Sequence, residues 1–218
     1  MPRAASEIAT GTLFGVALNY TGLLQSRLAE FNQPPYQQPP QKPVLFIKTP
    51  NTRTTDGQAV TAPAGERLQP GPALGVVIGK TASRVAEQDA LAHVAGYLIV
   101  NEFSLPEDSY YRPAVKAKCR DGFCALSSEV IPTRDVPHAH NLILKLLVNG
   151  EVRQENTTAN FVRSIPRLIA ELSEFMTLHE GDVLITGTPQ GRVDVVPGDD
   201  VVVEISGLGR LRNSIVAE

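Results

Sequence analysis

The sequence predicts a β-rich α+β fold with a few short helices. Many short apolar runs are bounded by Gly and Pro, only one stretch has strong helical periodicity, and strand and helix do not alternate as a doubly wound sheet requires.

Residues 1–10 are expected to form a loose leader, and 11–218 a single domain. Residues 13–19 (LFGVALN) read as the first strand and 23–31 as a short helix. The stretch PPYQQPPQKP, residues 34–43, cannot make a helix or a central strand, because proline lacks the N–H and fixes φ; a surface loop, serving as a lid, is expected. Residues 44–48 (VLFIK) read as a strand and 49–58 as turn-rich, with hairpin-type turn chemistry at Asp56-Gly57. Residues 74–78 form a third strand, ending at Gly79-Lys80. Its approach, PGPA (residues 70–73), carries only glycine, proline and alanine, so a place suited to a site holds no chemistry.

Residues 85–94 set Val85, Leu91 and Val94 around Glu87, Gln88 and Asp89, which predicts a short amphipathic helix. It feeds a strand, 97–100, that delivers Asn101 and Glu102 at its end. Residues 142–148 read as a strand, followed by the hairpin signal Asn149-Gly150. The clearest helix has Ser164 as N-cap, Pro166 in the first turn, and Leu168, Ile169, Leu172, Phe175 and Met176 on one face, with Gly181 marking its stop. Strands at 183–186, 201–205 and 211–216 finish the chain.

At 218 residues, with 42% hydrophobic residues, the chain can bury a core of its own. Its net charge of -3 argues against a nucleic-acid partner, which needs a broad basic surface. Lys116, Lys118 and Arg120 make the one tight basic cluster, sized for a small dianion. No apolar run approaches the ~20 residues of a membrane span and no signal-type segment is recognised, so a cytoplasmic protein without a membrane partner is expected. Cys119 and Cys124 fit neither a CxxC pair nor a zinc framework and are read as reduced thiols; His138 and His140 lack further ligands nearby.

Three stretches hold the polar groups that could do chemistry. In FIKTPNT, residues 46–52, Lys48 leaves a strand toward a loop. In VKAKCRDGF, 115–123, an extended chain would send Lys116, Lys118 and Arg120 to one side, where they could bind carboxylates or an enolate, with Asp121 beside them. In ITGTPQG, 185–191, small residues let the backbone approach a ligand and hold an oxyanion; the Lys-Ser/Thr of a phosphate-binding P-loop is absent. Each has a plain alternative: a solvated lysine, a charged surface strand, a simple turn.

In this order, over residues 11–216, these stretches resemble the fumarylacetoacetate hydrolase family, which implies a mixed-sheet β-sandwich or roll. GTLFGVALNY, NEFSLPEDSYYRPAVKAKCRDGF and LSEFMTLHEGDVLITGTPQG are similar to its isomerase/decarboxylase branch in bacterial 4-hydroxyphenylacetate (homoprotocatechuate) breakdown, in particular to the N-terminal half of that branch's bifunctional members. The family's Mg or Mn ion is held by a Glu-x-Glu and a later Asp, an oxygen-rich set. Here Gly71-Pro72-Ala73 stands at the Glu-x-Glu and Glu102 at the Asp, so Gly71 and Ala73 replace ligands, Glu102 is the one retained acidic position, and the metal is expected to be absent or weakly held. The family's lid acid–base pair falls on Leu23 and Ser26, whereas Lys48, Lys118, Asp121, Gly187, Thr188 and Pro189 match its pattern.

The resemblance implies decarboxylation of 5-oxopent-3-ene-1,2,5-tricarboxylate and isomerisation of 2-hydroxyhepta-2,4-dienedioate, both passing charge to a 2-oxo oxygen that a fixed cation stabilises. Lys48 and Lys118 are the expected cations, Asp121 orients a lysine, Glu102 moves protons, and Lys116, Arg120, Gly187 and Thr188 bind the substrate. A homodimer, or a complex with a paralogous metal-bearing subunit, is the expected assembly. Two alternatives stand beside this: a non-catalytic partner of such a subunit, and an acylpyruvate-type hydrolase, which Leu23 and Ser26 disfavour because they cannot activate water.

Overall fold

The computed structural model describes residues 1–107 and 109–218. Among these, nine strands make a large mixed sheet. Its spatial order is Arg3–Ala4, Glu129–Pro132, Val94–Glu102, Pro72–Ile78, Val183–Ile185, Leu13–Ala17 and Val44–Lys48. Cys124–Leu126 also pairs with Val94–Glu102, at its Glu102 end, and carries Arg53–Thr55 beside it. Five strands make a smaller sheet, in the order Glu151–Thr157, Ile143–Val148, Asp200–Ile205, Gly209–Ala217 and Ala59–Ala62.

The burial patterns explain the layering. Every residue of Pro72–Ile78 is buried, and its side chains divide by the two-residue period of a strand. Leu74, Val76 and Ile78 enter the main core with Leu144, Leu146, Val201, Val203 and Leu211 of the smaller sheet. Ala73 and Val77 enter a second cluster with Ala5, Ala9, Leu13, Leu98 and Val183. Strand Asp200–Ile205 alternates, burying Val201, Val203 and Ile205, as a sheet with one wet face should.

Residues 1–10 are not loose. Arg3 and Ala4 pair with Val130 and Glu129, Ala5–Ile8 forms a helical turn, and Ala5 and Ala9 are buried, because the second face of the large sheet needs a cover. The turn at Asp56-Gly57 closes no hairpin: the strands it joins, Arg53–Thr55 and Ala59–Ala62, belong to different sheets. Glu87–His93 is a 3₁₀ helix with Leu91 exposed, not an amphipathic α-helix. Ile165–Ser173 is helical, with the Ser164 hydroxyl accepting from the Arg167 N–H at 3.3 Å; it ends before Phe175, which is exposed. Asn149 (φ 53°) and Gly150 (φ 82°) make the two-residue hairpin turn expected of them. No helix of the described residues is long and apolar enough to cross a membrane.

Candidate active site

The wall that closes the site is built where strand Val94–Glu102 ends. Glu102 N–H donates to the Gly71 carbonyl at 2.7 Å, and the Glu102 side chain is almost wholly removed from solvent. A lone buried carboxylate is too costly to stand without partners. Three cations meet this one.

Lys48, the last residue of strand Val44–Lys48, places Nζ 2.7 Å from Glu102 Oε1, and the same ammonium donates to the carbonyls of Phe103 (2.6 Å), Lys118 (2.8 Å) and Phe123 (2.9 Å). Four acceptors surround three N–H bonds, so the amine is an ammonium even though burial pulls its pKa down. Lys48 is sealed inside and does not reach the cavity described below.

Lys118 and Arg192 are placed differently. Lys118 Nζ lies 3.1–3.2 Å from both Glu102 oxygens, 2.9 Å from Glu107 Oε2, and 4.4 Å from the centre of the Phe46 ring. Arg192 pairs with Glu102 Oε2 through Nη2, and its Nη1 donates to the Glu102 carbonyl at 3.0 Å. Burial raises the Glu102 pKa, but the charges of Lys118, Lys48 and Arg192 outweigh it and bring the carboxyl down to about 2. Glu102 is therefore a fixed anion and a poor base.

Above this cluster lies a cavity of about 250 Å³ lined by Leu23, Ser26 and Arg27 of the helix Thr21–Phe31, by Glu107 and Tyr110, and by Pro189, Gln190 and Arg192 among others. A smaller one, about 30 Å³, shares Leu23, Glu107, Tyr110 and Arg192 with it and reaches Glu102, Lys118, Thr188 and Phe46. The roof is pinned: the Arg27 guanidinium sits 5.1 Å from the Tyr110 ring and donates to the Glu107 carbonyl at 3.0 Å. Tyr36, from the proline-rich loop, accepts from the Tyr110 N–H at 2.6 Å. A cavity of about 620 Å³ lies elsewhere, with mostly apolar walls such as Leu91, Val136 and Ile165, and offers no cluster of charge.

The loop 185–191 supplies the floor. Gly187 takes φ 110°, and a Cβ there would stand 2.7 Å from the Val16 carbonyl, so only glycine lets the chain pass the end of strand Leu13–Ala17. Asn19 locks the same junction, donating to the Thr186 carbonyl at 2.9 Å. Thr188 lines the smaller cavity.

The other expected residues are not brought to this cavity. Residues 115–118 are helical, not extended, so Lys116 and Lys118 point apart. Lys116 and Arg120 turn to Glu66, at 3.7 and 2.5 Å. Asp121 orients no lysine; it accepts from Asn51 Nδ2 at 2.6 Å and staples the turn after Lys118 to the segment after Lys48. Cys119 and Cys124 are free thiols, and burial pushes the Cys124 thiol up to about 12. Arg192 lies one residue beyond the motif read in the sequence; an arginine directly following a glycine-rich loop was the available signal.

This arrangement, a mixed-sheet fold whose central strand ends in a charged pocket beside a Thr-Gly-Thr-Pro loop, defines the class of protein: residues 12–216 match the fumarylacetoacetate (FAA) hydrolase C-terminal family, and the chain belongs to it. Within that family it is 47% identical, over 211 residues, to the 4-hydroxyphenylacetate degradation bifunctional isomerase/decarboxylase of Escherichia coli; the match covers 95% of this chain and 47% of that protein. The chain thus spans about half the length of these curated relatives. Among solved structures, 5-carboxymethyl-2-hydroxymuconate delta-isomerase from Mycobacterium smegmatis superposes with a TM-score of 0.83 at 28% identity, over 97% of this chain and 80% of that one. Maleylpyruvate hydrolase from Sphingobium sp. SYK-6, solved with manganese(II) and pyruvate, gives 0.77 at 28% identity, over 94% and 70%.

The residues present here do not fit such an ion. The described residues contain no group of three or more His, Cys, Asp or Glu side chains able to hold a metal. Glu102, the one acidic residue at the family's ligand positions, is already shared among three cations that would repel a dication, and Glu107 beside it is paired with Lys118 at 2.9 Å.

Proposed function

We propose that the chain is the isomerase/decarboxylase half, or a separate subunit, that acts on a small unsaturated oxo-di- or tricarboxylate. The substrates are those of the resembled branch: 5-oxopent-3-ene-1,2,5-tricarboxylate, which loses CO₂, and 2-hydroxyhepta-2,4-dienedioate, which is isomerised. The observation that carries this is the ring of Lys48, Lys118 and Arg192 around Glu102, whose Lys118 and Arg192 line a small cavity that shares Leu23, Glu107, Tyr110 and Arg192 with the larger one lined by Arg27. Lys48, Lys118, Arg192 and Arg27 against Glu102, Glu107 and Glu30, which pairs with Arg27 at 2.7 Å, leave one positive charge in surplus for an anionic substrate.

In this reading Lys118 and Arg192 hold the oxygen that gains charge as the C–C bond breaks or the double bond moves. Lys48 does not touch substrate; it holds Glu102 ionised and so fixes the positions of the other two. Glu107, which lines both cavities and pairs with Lys118 at 2.9 Å, takes the proton-carrying part that Glu102 is too weak a base to play. The chain works in an assembly, as a homodimer or with a paralogous subunit that keeps the metal.

The test is CO₂ release from the tricarboxylate by the purified chain, alone and with the metal-bearing paralogue, in EDTA and in Mg²⁺. Turnover by the chain in EDTA supports the reading. The second reading, a non-catalytic partner, is favoured by the closed satisfaction of Lys48 and Glu102, which need no ligand; turnover that appears only with the paralogue and survives Lys118→Ala would establish it instead.

A further inference from the structure

The Arg192 guanidinium occupies space that any side chain at position 71 would need. A Cβ built on Gly71 comes within 2.8 Å of Arg192 Nη2 and of Thr188 Oγ1, and within 2.5 Å of the Glu102 carbonyl. Glycine at 71 is thus the condition for the arginine's seat, and the two positions form one device. The seat is well made. Nη1 donates to the carbonyls of Glu102 (3.0 Å) and Gln69 (3.3 Å), while Nη2 donates to the Glu102 carboxylate and to Thr188 Oγ1 (3.3 Å). The segment that carries it is tied down on the same side, by Gln69 Nε2 to Asp194 Oδ1 at 2.8 Å and by the bridge between Leu68 and Val195.

Lys48 is sealed, so Lys118 and Arg192 are the cations on the cavity floor; the Arg192 side chain keeps 19% of its surface exposed and lines both cavities. A guanidinium presents N–H groups in a planar fork that matches the two neighbouring oxygens of a 2-oxo carboxylate, and the two longest bonds of this seat, at 3.3 Å to the Gln69 carbonyl and to Thr188 Oγ1, are the ones such oxygens displace; the Gln69 carbonyl keeps the Ser104 N–H at 3.0 Å. We propose that Arg192, seated by Gly71, is the resident cation of this site: it receives the carboxylate and oxo oxygens of a 2-oxo acid, or of its dienolate, directly and with no divalent ion between them. The proposal rests on the functional reading above for the identity of the natural substrate, but the anion site it describes is separable from turnover.

Oxalate, a planar dianion with adjacent oxygens, is the probe. Its binding is measured by titration calorimetry in EDTA and again in Mn²⁺, and binding of Mn²⁺ alone is followed by electron paramagnetic resonance. Wild type is expected to bind oxalate in EDTA with an affinity that Mn²⁺ does not increase. Arg192→Leu should weaken that binding at least about tenfold, with no rescue by Mn²⁺, and Arg192→Lys should fall between them. Should circular dichroism show Arg192→Leu unfolded, Arg192→Lys, which keeps a charge beside Glu102, carries the comparison. Three results would overturn the proposal: no oxalate binding in EDTA, oxalate binding that requires Mn²⁺, or wild-type affinity in folded Arg192 variants. Oxalate binding with no turnover of the tricarboxylate would instead sink the functional reading and leave this one standing.

Discussion

Lys48 Nζ and Glu102 Oε1 lie 2.7 Å apart, with the two side chains 0% and 1% exposed. The pair ties the end of the sheet's edge strand Val44–Lys48 to the end of its interior strand Val94–Glu102, and Phe103 and Phe123 hang their carbonyls on the same ammonium. Its first consequence is mechanical.

Lys48→Met should destabilise the protein by about 3–5 kcal/mol, because it strips three carbonyls of their donor and removes one partner of a buried charge. Urea unfolding measures the loss. A Lys48→Met protein as stable as wild type would show that the ammonium is dispensable to the fold.

The Glu102 carboxyl titrates near 2 in the fold against an ordinary 4.5. A depressed carboxyl stabilises the folded state above the unfolded value, and that contribution is lost as pH falls from 4.5 toward 2. The difference in unfolding free energy between wild type and Glu102→Gln should therefore shrink by roughly 3 kcal/mol across that window. A difference independent of pH would place the charge elsewhere.

Lys118→Ala should lower decarboxylation about 100-fold, since it removes a donor on the cavity floor. Lys116→Ala and Arg120→Ala should leave the rate unchanged, because both side chains turn to Glu66. Steady-state kinetics on the three variants discriminate a site cation from a surface cluster; equal losses in all three would restore the extended-chain picture.

Gly15 carries the Phe46 ring: a Cβ there would meet it at 2.0 Å, and the ring in turn lies under Lys118. Gly15→Ala should cost about 1–3 kcal/mol by displacing the aromatic ring. It should also move Lys118, raising KM for an anionic substrate more than a melting shift alone explains. Unchanged KM in the folded variant would separate Phe46 from the site.

Strands with strong local signals were legible in the sequence: the apolar run before Gly79, the Asn149-Gly150 hairpin and the helix capped by Ser164 each carry their own instruction. Arg53–Thr55, Ala59–Ala62 and Cys124–Leu126 were not legible, being three or four residues long and specified by partners distant in the chain. At the site, Glu102, Lys48 and Lys118 could be picked out as polar residues in revealing places, but not their division of labour. Whether a lysine faces a ligand or is consumed by three carbonyls depends on Phe103, Lys118 and Phe123 converging on it, which no spacing records. Lys116 and Lys118 share the parity of a strand, and one turn of helix was enough to part them.

Strand Val183–Ile185 lies between Leu13–Ala17 and Pro72–Ile78, so the middle of the large sheet is its late-synthesised member. A ribosome adding about 5–20 residues per second leaves the first of these strands without that neighbour for on the order of ten seconds. During that interval two apolar edges stand open to other nascent chains. Recovery of this protein in active form should therefore depend on translation speed and holding chaperones more than its finished stability would indicate.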